Sequence, residues 1–365
     1  MIPLSIPEMT GKELFYIKEC LDSGWVSSAG PHVKLFEDRF KDYIGAKYAV
    51  ATVNCTSALH LALMCIGVRE DDEVIVPSLT FAATVNAIRY LGAEPVFVDV
   101  CRDSYCMEPH KLEELIGEKT KAIMPVHLYG QTVEMECVME IANKYGLKVV
   151  EDAAQSLGSK YKGMSTGTIG HAGCFSFNGN KLITTGSGGM LVTDDEEIAS
   201  RALYLSTQAK DLNHKGAFYH NDVGYNYRMS NINAAVGLGQ LEDIERRIQI
   251  KKSISDLYYK HLTGVDNIVL PVKKTYCDTV FWLYPILVKY GAKYDRTSLE
   301  EKFCQSGIET RTFFTPLHLM PPYVSHRHGD LENTEYISML GLNLPSSIGI
   351  GDDEIIKVCR ILRHE

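Results

Sequence analysis

Four short segments that are apolar throughout constrain the fold of this chain more than any other feature. A strand exposed on one face alternates apolar and polar residues, whereas a strand covered on both faces is apolar at successive positions. The uniformly apolar stretches, centred near residues 75, 97, 124 and 150, lie within DEVIVPS (72–78), EPVFVDV (94–100), KAIMPVHLYG (121–130) and LKVVEDAAQS (147–156). They predict parallel strands buried between two layers.

Helix-like segments separate these strands, and each ends in a glycine close to the next strand, as helix C-termini often do. The segments are TSALHLALMCIG (56–67), TFAATVNAIRYLG (80–92) and EMECVMEIANKYG (134–146). Two further strand-like stretches follow, AGCFSFN (172–178) and GGMLVTDD (188–195). This alternation predicts an α/β fold with a mostly parallel sheet.

Beyond residue 200 the pattern changes. Residues 230–259 are predicted to form one long helix that leads out of the first domain, and TVFWLYPILV (279–288) is strand-like among short helices. We therefore predict a large domain over residues 1–260 and a smaller C-terminal α+β domain over residues 261–365.

Composition excludes several classes of protein. The 365-residue chain has a net charge of −9 and no basic stripe, which argues against nucleic acid as a partner. Its 10 cysteines are scattered, without C-x-x-C pairs or metal-ligand spacing, so no metal site is expected. With no signal peptide and no apolar run of about 18 residues, we expect a soluble, reduced, cytoplasmic protein without a membrane segment.

Polar residues follow the predicted strands at the sheet edge where α/β proteins bind ligands. Thr56 and Ser57 stand at a predicted helix start, where they either hold a phosphate or serve as a plain N-terminal cap. Asp152 ends a buried strand and Gln155 follows it. A buried carboxylate needs a partner, which is a cap, an internal arginine or the ring nitrogen of pyridoxal 5′-phosphate (PLP).

Lys181 lies in FSFNGNKLITTGSGGM (175–190), a loop rich in Gly and Asn between two apolar segments. A solvated lysine is the ordinary alternative. A lysine that forms a Schiff base must instead be partly desolvated and still mobile, and a loop between strand ends provides both properties. We interpret Lys181 as the residue that carries the cofactor.

The order T-S-A-L, T-F, E-D-A-A-Q-S, F-S-F-x-x-N-K-x-x-T-T-G-x-G-G and G-Y-N-Y-R-M-S resembles the DegT-type nucleotide-sugar aminotransferases, from about Ile2 to the C-terminus. The resemblance implies an aspartate-aminotransferase-like (type I) large domain with a mostly parallel seven-stranded sheet, plus the smaller C-terminal α+β domain. It also implies PLP as the cofactor, bound covalently by Lys181.

The same resemblance implies roles for the residues around the cofactor. Asp152 would pair with the pyridine nitrogen, Gln155 would face the phenolic oxygen, and Phe81 would stack on the ring, although Phe81 alone is more typical of a core residue. The residues implied to hold the phosphate are Thr56, Ser57 and Ser176.

The family forms homodimers with shared active sites, which implies partner contacts from GYNYRMSNINAA. Asn226 is the candidate phosphate contact in trans and Arg228 a weaker one, with a structural role as the alternative for both. Six candidate substrate contacts are Trp25, Ser27, His127, His220, Arg228 and His318. For His127 a hydrogen-bonded core position is the favoured alternative.

The chain departs from the family pattern at two places, neither of which removes a cofactor contact, and the second bears on the substrate. The frequent Gly-Thr before the first helix is Cys55-Thr56 here, and the common GEGG after the lysine is Gly186-Ser187-Gly188-Gly189. The second departure favours enzymes that make 4-amino-4,6-dideoxy UDP-N-acetylhexosamines over GDP-perosamine synthases. Sugar 3-dehydratases on this fold carry histidine at the lysine position, so Lys181 favours transamination.

We therefore predict transfer of an amino group from L-glutamate to C4 of a UDP-linked 4-keto-6-deoxy-N-acetylhexosamine, in bacterial surface-glycan or related sugar biosynthesis. The alternatives are a GDP-perosamine synthase-like enzyme and a dTDP-sugar 3- or 4-aminotransferase. A Rossmann-type nucleotide-sugar oxidoreductase is a weaker alternative, because no G-x-G-x-x-G opens a helix after the first strand. The last alternative is a catalytically silent binding protein on the same fold.

Overall fold

The computed structural model describes residues 1–211, 214, 218–292 and 294–363. Its strands are β1 (Tyr48–Thr52), β2 (Glu73–Pro77), β3 (Glu94–Val98), β4 (Thr120–Ile123), β5 (Lys148–Asp152), β6 (Lys160–Tyr161), β7 (Met164–Ser165), β8 (Ala172–Ser176), β9 (Gly189–Thr193), β10 (Ile268–Val269), β11 (Cys277–Asp278), β12 (Tyr284–Val288), β13 (Arg311–Thr312) and β14 (Gly341–Leu344). Its α-helices are α1 (Lys12–Ser23), α2 (Pro31–Ile44), α3 (Cys55–Cys65), α4 (Ala82–Arg89), α5 (Met135–Tyr145), α6 (Glu196–Ser206), α7 (Asn231–Leu241), α8 (Ile244–Leu262), α9 (Arg296–Gln305), α10 (Glu332–Leu340) and α11 (Asp352–Arg363).

A seven-stranded sheet in the order β1-β9-β8-β5-β4-β2-β3 forms the centre of the molecule. The run from β3 through β2, β4 and β5 to β8 is parallel, whereas β9 pairs antiparallel with both of its neighbours, β8 and β1. The mostly parallel sheet predicted from the sequence is therefore confirmed, although the pattern indicated only six of its strands. It missed β1, an edge strand of five residues whose first two are only half-buried.

Helix α3 is apolar around most of its circumference because it packs between the sheet and other helices. It lies against α4 and α6 and against strands β8 and β9, and residues from Ala58 to Leu63 are buried. The side chain of Asn54 caps its first turn by accepting a hydrogen bond from the Ser57 amide at 2.8 Å. The N-terminus of α3 is thereby fixed at the carboxyl edge of the sheet.

The single long helix predicted over residues 230–259 is wrong. The structure has two helices, α7 and α8, which meet at Glu242 and Asp243. The Asp243 amide bonds Gln240 O at 3.2 Å, which is a tightened turn rather than a continuing α-helix. Side chains hold the bend, since Glu242 pairs with Arg39 at 3.0 Å and Asp243 with Arg246 at 2.7 Å.

The C-terminal region contains a four-stranded antiparallel sheet in the order β10-β12-β14-β13, packed against α8, α9 and α11. The strand predicted over residues 279–288 begins only at Tyr284, and residues 279–283 lead toward the first sheet. The predicted boundary at residue 260 falls inside the last turn of α8, and the division into two domains stays a prediction.

No helix in the described ranges is both long enough and apolar enough to cross a bilayer. Within the same residues there is no group of three or more histidine, cysteine, aspartate or glutamate side chains arranged to hold a metal ion. The cytoplasmic location stays a prediction.

Candidate active site

A cavity of about 380 Å³ opens at the carboxyl edge of the large sheet. The ends of β5 and β8, the N-termini of α3 and α4, the loop after β8 and three residues from beyond position 280 form its walls. Its lining residues are Asn54, Cys55, Thr56, Leu59, Phe81, Ala83, Thr84, Asp152, Ala154, Gln155, Ser176, Asn178, Asn180, Lys181, Ser187, Gly188, Trp282, Arg311 and Phe314. Six of the predicted cofactor residues are thus brought together, namely Thr56, Phe81, Asp152, Gln155, Ser176 and Lys181.

Lys181 projects its ammonium group into a desolvated position. Its Nζ lies 3.4 Å from the centre of the Trp282 ring, and its backbone amide bonds Asn178 O at 3.0 Å. Burial lowers the pKa of Lys181 to about 8, and the nearby carboxylate of Asp152 opposes this decrease. A substantial fraction of the amine is therefore neutral and nucleophilic near physiological pH.

Asp152 occupies the end of β5 and is 5% exposed. Its Oδ2 accepts a hydrogen bond from Thr84 Oγ1 at 2.8 Å, and its Oδ1 accepts one from the Ala154 amide at 3.1 Å. Burial raises the pKa of Asp152, while these hydrogen bonds and the charge of Lys181 act against the increase. A buried carboxylate with spare acceptor capacity suits a protonated ring nitrogen.

Gln155 is oriented by the backbone. Its Oε1 accepts a hydrogen bond from the Tyr129 amide at 3.0 Å. The acceptor of the side-chain amide is thereby used within the chain, which leaves the Nε2 hydrogens to donate to a ligand oxygen.

The N-terminus of α3 provides anion-binding groups on one wall. The amides of Cys55 and Thr56 have no acceptor within the helix because the helix begins there. Gly189 permits the close approach of β9, since a Cβ at this position would lie 2.6 Å from Cys55 N. Ser57 is buried behind this wall and is not among the lining residues.

Phe81 stands at the rim of the cavity, where it is 58% exposed and its ring centre lies 5.9 Å from that of Phe314. Its exposure excludes the core position that a lone phenylalanine suggests. An exposed ring at the edge of a polar cavity is available to stack on a flat ligand.

Three other candidates lie in a neighbouring groove. Ser27, Asn226 and Arg228 line it, and Ser187 lines both this groove and the cofactor cavity. Arg228 also contacts Glu37 and donates to Ala51 O at 3.2 Å. Trp25 is 51% exposed nearby, and its carbonyl accepts a bond from the Asn231 side chain at 2.7 Å.

The three candidate histidines do not line the cofactor cavity. His127 is fully buried and bonds Glu151 at 2.9 Å, so it occupies the core position favoured as its alternative. His318 bonds Ser78 at 2.8 Å, and His220 bonds the carbonyl oxygen of Gln208 at 2.7 Å. Substrate contact by these residues stays a prediction.

Trp282, Arg311 and Phe314 were missed by sequence reasoning. Trp282 is in a segment that reads as a buried strand, and Arg311 is in GIETRTFF, which carries no recognisable motif. All three reach the cavity from the C-terminal part of the chain, so only the folded structure reveals them.

These features fit the groups of PLP one by one. The desolvated amine of Lys181 suits the aldehyde, the carboxylate of Asp152 suits the ring nitrogen, and the amides at the start of α3 suit the phosphate. The fold and the site together define a PLP-binding enzyme.

Comparison with known proteins agrees with this assignment of a PLP-binding enzyme. The chain belongs to the DegT/DnrJ/EryC1/StrS aminotransferase family, whose model matches residues 7–363. It is 42% identical over 363 residues to a GDP-perosamine synthase of Escherichia coli O157:H7, covering 100% of this chain and 98% of the relative. It is 41% identical over 362 residues to a GDP-perosamine synthase of Caulobacter vibrioides, covering 99% and 97%. Among solved structures, a putative sugar aminotransferase of Streptococcus pneumoniae in its PMP form superposes with a TM-score of 0.94 at 28% identity, covering 100% and 97%.

The predicted family, the enzyme class and the cofactor are confirmed, and the chain is a PLP-dependent sugar aminotransferase. Family membership leaves the oxidoreductase and the silent binding protein without support. The predicted substrate subclass is not confirmed, because the two relatives are GDP-perosamine synthases rather than UDP-N-acetylhexosamine transaminases. The comparisons thus favour the alternative substrate over the main prediction.

Proposed function

We propose that this enzyme transfers an amino group from L-glutamate to C4 of a GDP-linked 4-keto-6-deoxyhexose. The product would be GDP-perosamine, in which perosamine is a 4-amino-4,6-dideoxyhexose. The observation that carries the proposal is identity above 40% over nearly the full length of both chains with two GDP-perosamine synthases.

Lys181 has the properties of the proton carrier for both halves of such a reaction. Bound PLP supplies an electron sink that weakens the bond between hydrogen and Cα of the donor. The Lys181 amine, with its pKa near 8, takes that proton as a general base and returns it as a general acid in the second half.

Other residues would bind and orient the cofactor. Asp152 would hold the proton of the ring nitrogen, and burial of both groups would strengthen that interaction. Gln155 would donate from Nε2 to the ring oxygen, and Phe81 would cover the ring face. Thr56 and Ser176 of the cavity wall would hold the phosphate, and contact by Ser57, which is buried behind the wall in the first turn of α3, stays a prediction.

We propose further that two chains share each active site and that Asn226 contacts the phosphate bound by the partner. Two observations support this. Asn226 is exposed and lies outside its own chain's cofactor cavity, and its groove adjoins that cavity at Ser187.

A UDP-linked 4-keto-6-deoxy-N-acetylhexosamine is the second candidate substrate. The Gly186-Ser187-Gly188-Gly189 segment favours it. A dTDP-linked sugar with the ketone at C3 or C4 is the third candidate substrate.

A substrate panel tests the proposal. The enzyme is incubated with L-glutamate and with GDP-, UDP- or dTDP-linked 4-ketosugars, and the products are identified by NMR. We expect the GDP sugar to give the highest kcat/KM and a product aminated at C4, with no product from Lys181→Ala. Preference for the UDP sugar, or an amine at C3, would contradict the proposal.

A further inference from the structure

The charges of the cofactor cavity are incompletely explained by the roles given above. Among the described residues that line it, three are charged, namely Asp152, Lys181 and Arg311. Asp152 and Lys181 serve the cofactor. Arg311 therefore brings to the cavity a positive charge that the proposed cofactor contacts do not use.

The backbone of Arg311 is fixed while its guanidinium is not. In β13 the residue pairs with Asn343 of β14, and its carbonyl accepts a bond from Asn343 Nδ2 at 3.3 Å. Its side chain has one ion pair in the described structure, to Glu309 at 3.9 Å, with both side chains 48% exposed. That separation is too long for a hydrogen bond, so the planar donors of the guanidinium remain available to a ligand.

Arg311 and Lys181 line the same cavity. The positive charge of Arg311 is among the causes that lower the pKa of Lys181. An anion bound by Arg311 would therefore be held beside Lys181 rather than at a remote surface.

Two anionic groups enter this site during the proposed reaction, the carboxylate of the amino donor and the diphosphate of the nucleotide sugar. The α-carboxylate of an amino acid is attached to the carbon that loses its proton to Lys181. The diphosphate is attached at C1 of the sugar, across the ring from the ketone at C4.

We infer that Arg311 binds a carboxylate of the amino donor, and does so through the paired donors of its guanidinium. This inference rests on the proposed function in taking an acidic amino acid as donor, but not on the identity of the sugar.

The first half-reaction isolates the donor. The holoenzyme is mixed with L-glutamate alone in a stopped-flow spectrometer, and the apparent Kd and limiting rate come from the concentration dependence of the loss of cofactor absorbance. Since a charged hydrogen-bond pair is lost, Arg311→Gln is expected to raise the apparent Kd about 10- to 150-fold, with a smaller change in the limiting rate. Arg311→Lys, which keeps the charge but not the paired geometry, should fall between wild type and Arg311→Gln.

Calorimetry supplies a readout that does not depend on turnover. Glutarate, an unreactive dicarboxylate, is titrated into each holoenzyme, and Arg311→Gln should weaken its binding by a similar factor. Two controls are matched to this variant. Glu309→Gln removes the weak ion-pair partner, and Arg360→Gln removes an exposed arginine of α11 that does not line the cavity. Both should bind the donor within threefold of wild type.

The second half-reaction distinguishes the two anions. The pyridoxamine form of Arg311→Gln is mixed with the GDP-linked ketosugar, whose apparent Kd should change less than threefold. The inference would be overturned if Arg311→Gln weakened binding of the ketosugar alone, or if wild type and Arg311→Gln bound the donor equally well. Failure of every ketosugar to react while glutamate still does would instead refute the proposed substrate, leaving the donor measurement intact.

Discussion

The aromatic ring of Trp282 contacts the Lys181 ammonium, so we predict that replacing Trp282 lowers the pKa of Lys181. The ring is held rigidly. Trp282 Nε1 donates to Asn180 O at 2.6 Å, its amide donates to Tyr129 O at 3.0 Å, and its carbonyl accepts from Lys251 Nζ at 2.7 Å. With Nζ of Lys181 only 3.4 Å from the ring centre, the protonated amine is stabilised by the aromatic face.

The size of this effect follows from the geometry. A cation over an aromatic ring is stabilised by about 0.5 kcal/mol at exposed sites and about 2 kcal/mol when desolvated. Because about 1.36 kcal/mol corresponds to one pKa unit, Trp282→Leu should lower the pKa of Lys181 by about 0.4 to 1.5. Leucine removes the aromatic face and keeps the surroundings apolar, so the desolvation that already lowers this pKa to about 8 persists.

Competitive acetylation of the apoenzyme measures this pKa directly. Trace acetic anhydride reacts only with neutral amines, and mass spectrometry of the peptide that contains Lys181 gives its reactivity at each pH relative to a free lysine standard. Trp282→Phe is the matched control, since it keeps an aromatic face but loses the hydrogen bond to Asn180. Its pKa should lie between those of wild type and Trp282→Leu.

An unchanged or raised pKa in Trp282→Leu would refute this reasoning. An unchanged value would mean that the ring contributes no stabilisation of the ammonium. A raised value would mean that the ring acts chiefly by excluding water from Lys181.

Three further predictions concern the same site and its support. Lys181→Ala should retain the fold by circular dichroism and lose both turnover and the visible absorbance of bound cofactor; retention of either would contradict covalent attachment at this residue. If sites are shared, mixing Lys181→Ala with Asn226→Asp, whose new carboxylate repels the phosphate, should restore about a quarter of wild-type activity. Random pairing makes half the dimers hybrid, and each hybrid has one intact site. Activity no greater than the sum of the separate variants would count against sharing. Burial lowers the pKa of Lys251 to about 7, so above that pH the folded chain binds fewer protons than the unfolded chain. The unfolding free energy of wild type relative to Lys251→Met should therefore rise by at most about 1.36 kcal/mol per pH unit between pH 7 and 10. Denaturant titrations measure this difference, and a difference independent of pH would exclude the linkage.

The fold could be predicted where burial leaves a mark on the local sequence. Strands β2, β3, β4 and β5 are covered on both faces, and their apolar runs identify them without any long-range information. The bend between α7 and α8 left no such mark, since neither proline nor glycine occupies positions 242–243 and the bend is held by contacts with Arg39 and Arg246.

The cofactor side of the site could be predicted for a related reason. In a parallel sheet the residues just after each strand meet at one edge, so Asp152 and Ser176 are brought together by chain direction alone. Arg311 lies in the C-terminal sheet and Trp282 lies just before strand β12 of that sheet, both more than 100 positions beyond Lys181 along the sequence. No periodicity connects segments that far apart, and their roles depend on how the chain packs.

The predicted substrate subclass, over which the comparisons favour the alternative, depended on the segment that contains Ser187. This residue distinguishes GSGG from the common GEGG, and the prediction of a UDP sugar depended on it. In the structure its hydroxyl donates to Val53 O at 2.8 Å, so its hydrogen is satisfied within the chain. Ser187 lies where the cofactor cavity meets the neighbouring groove, and its side chain, bonded to the backbone of Val53, contributes to the shape of the wall. Identity above 40% over nearly the full length of two GDP-perosamine synthases draws on many more positions than one motif, and for that reason we give it more weight.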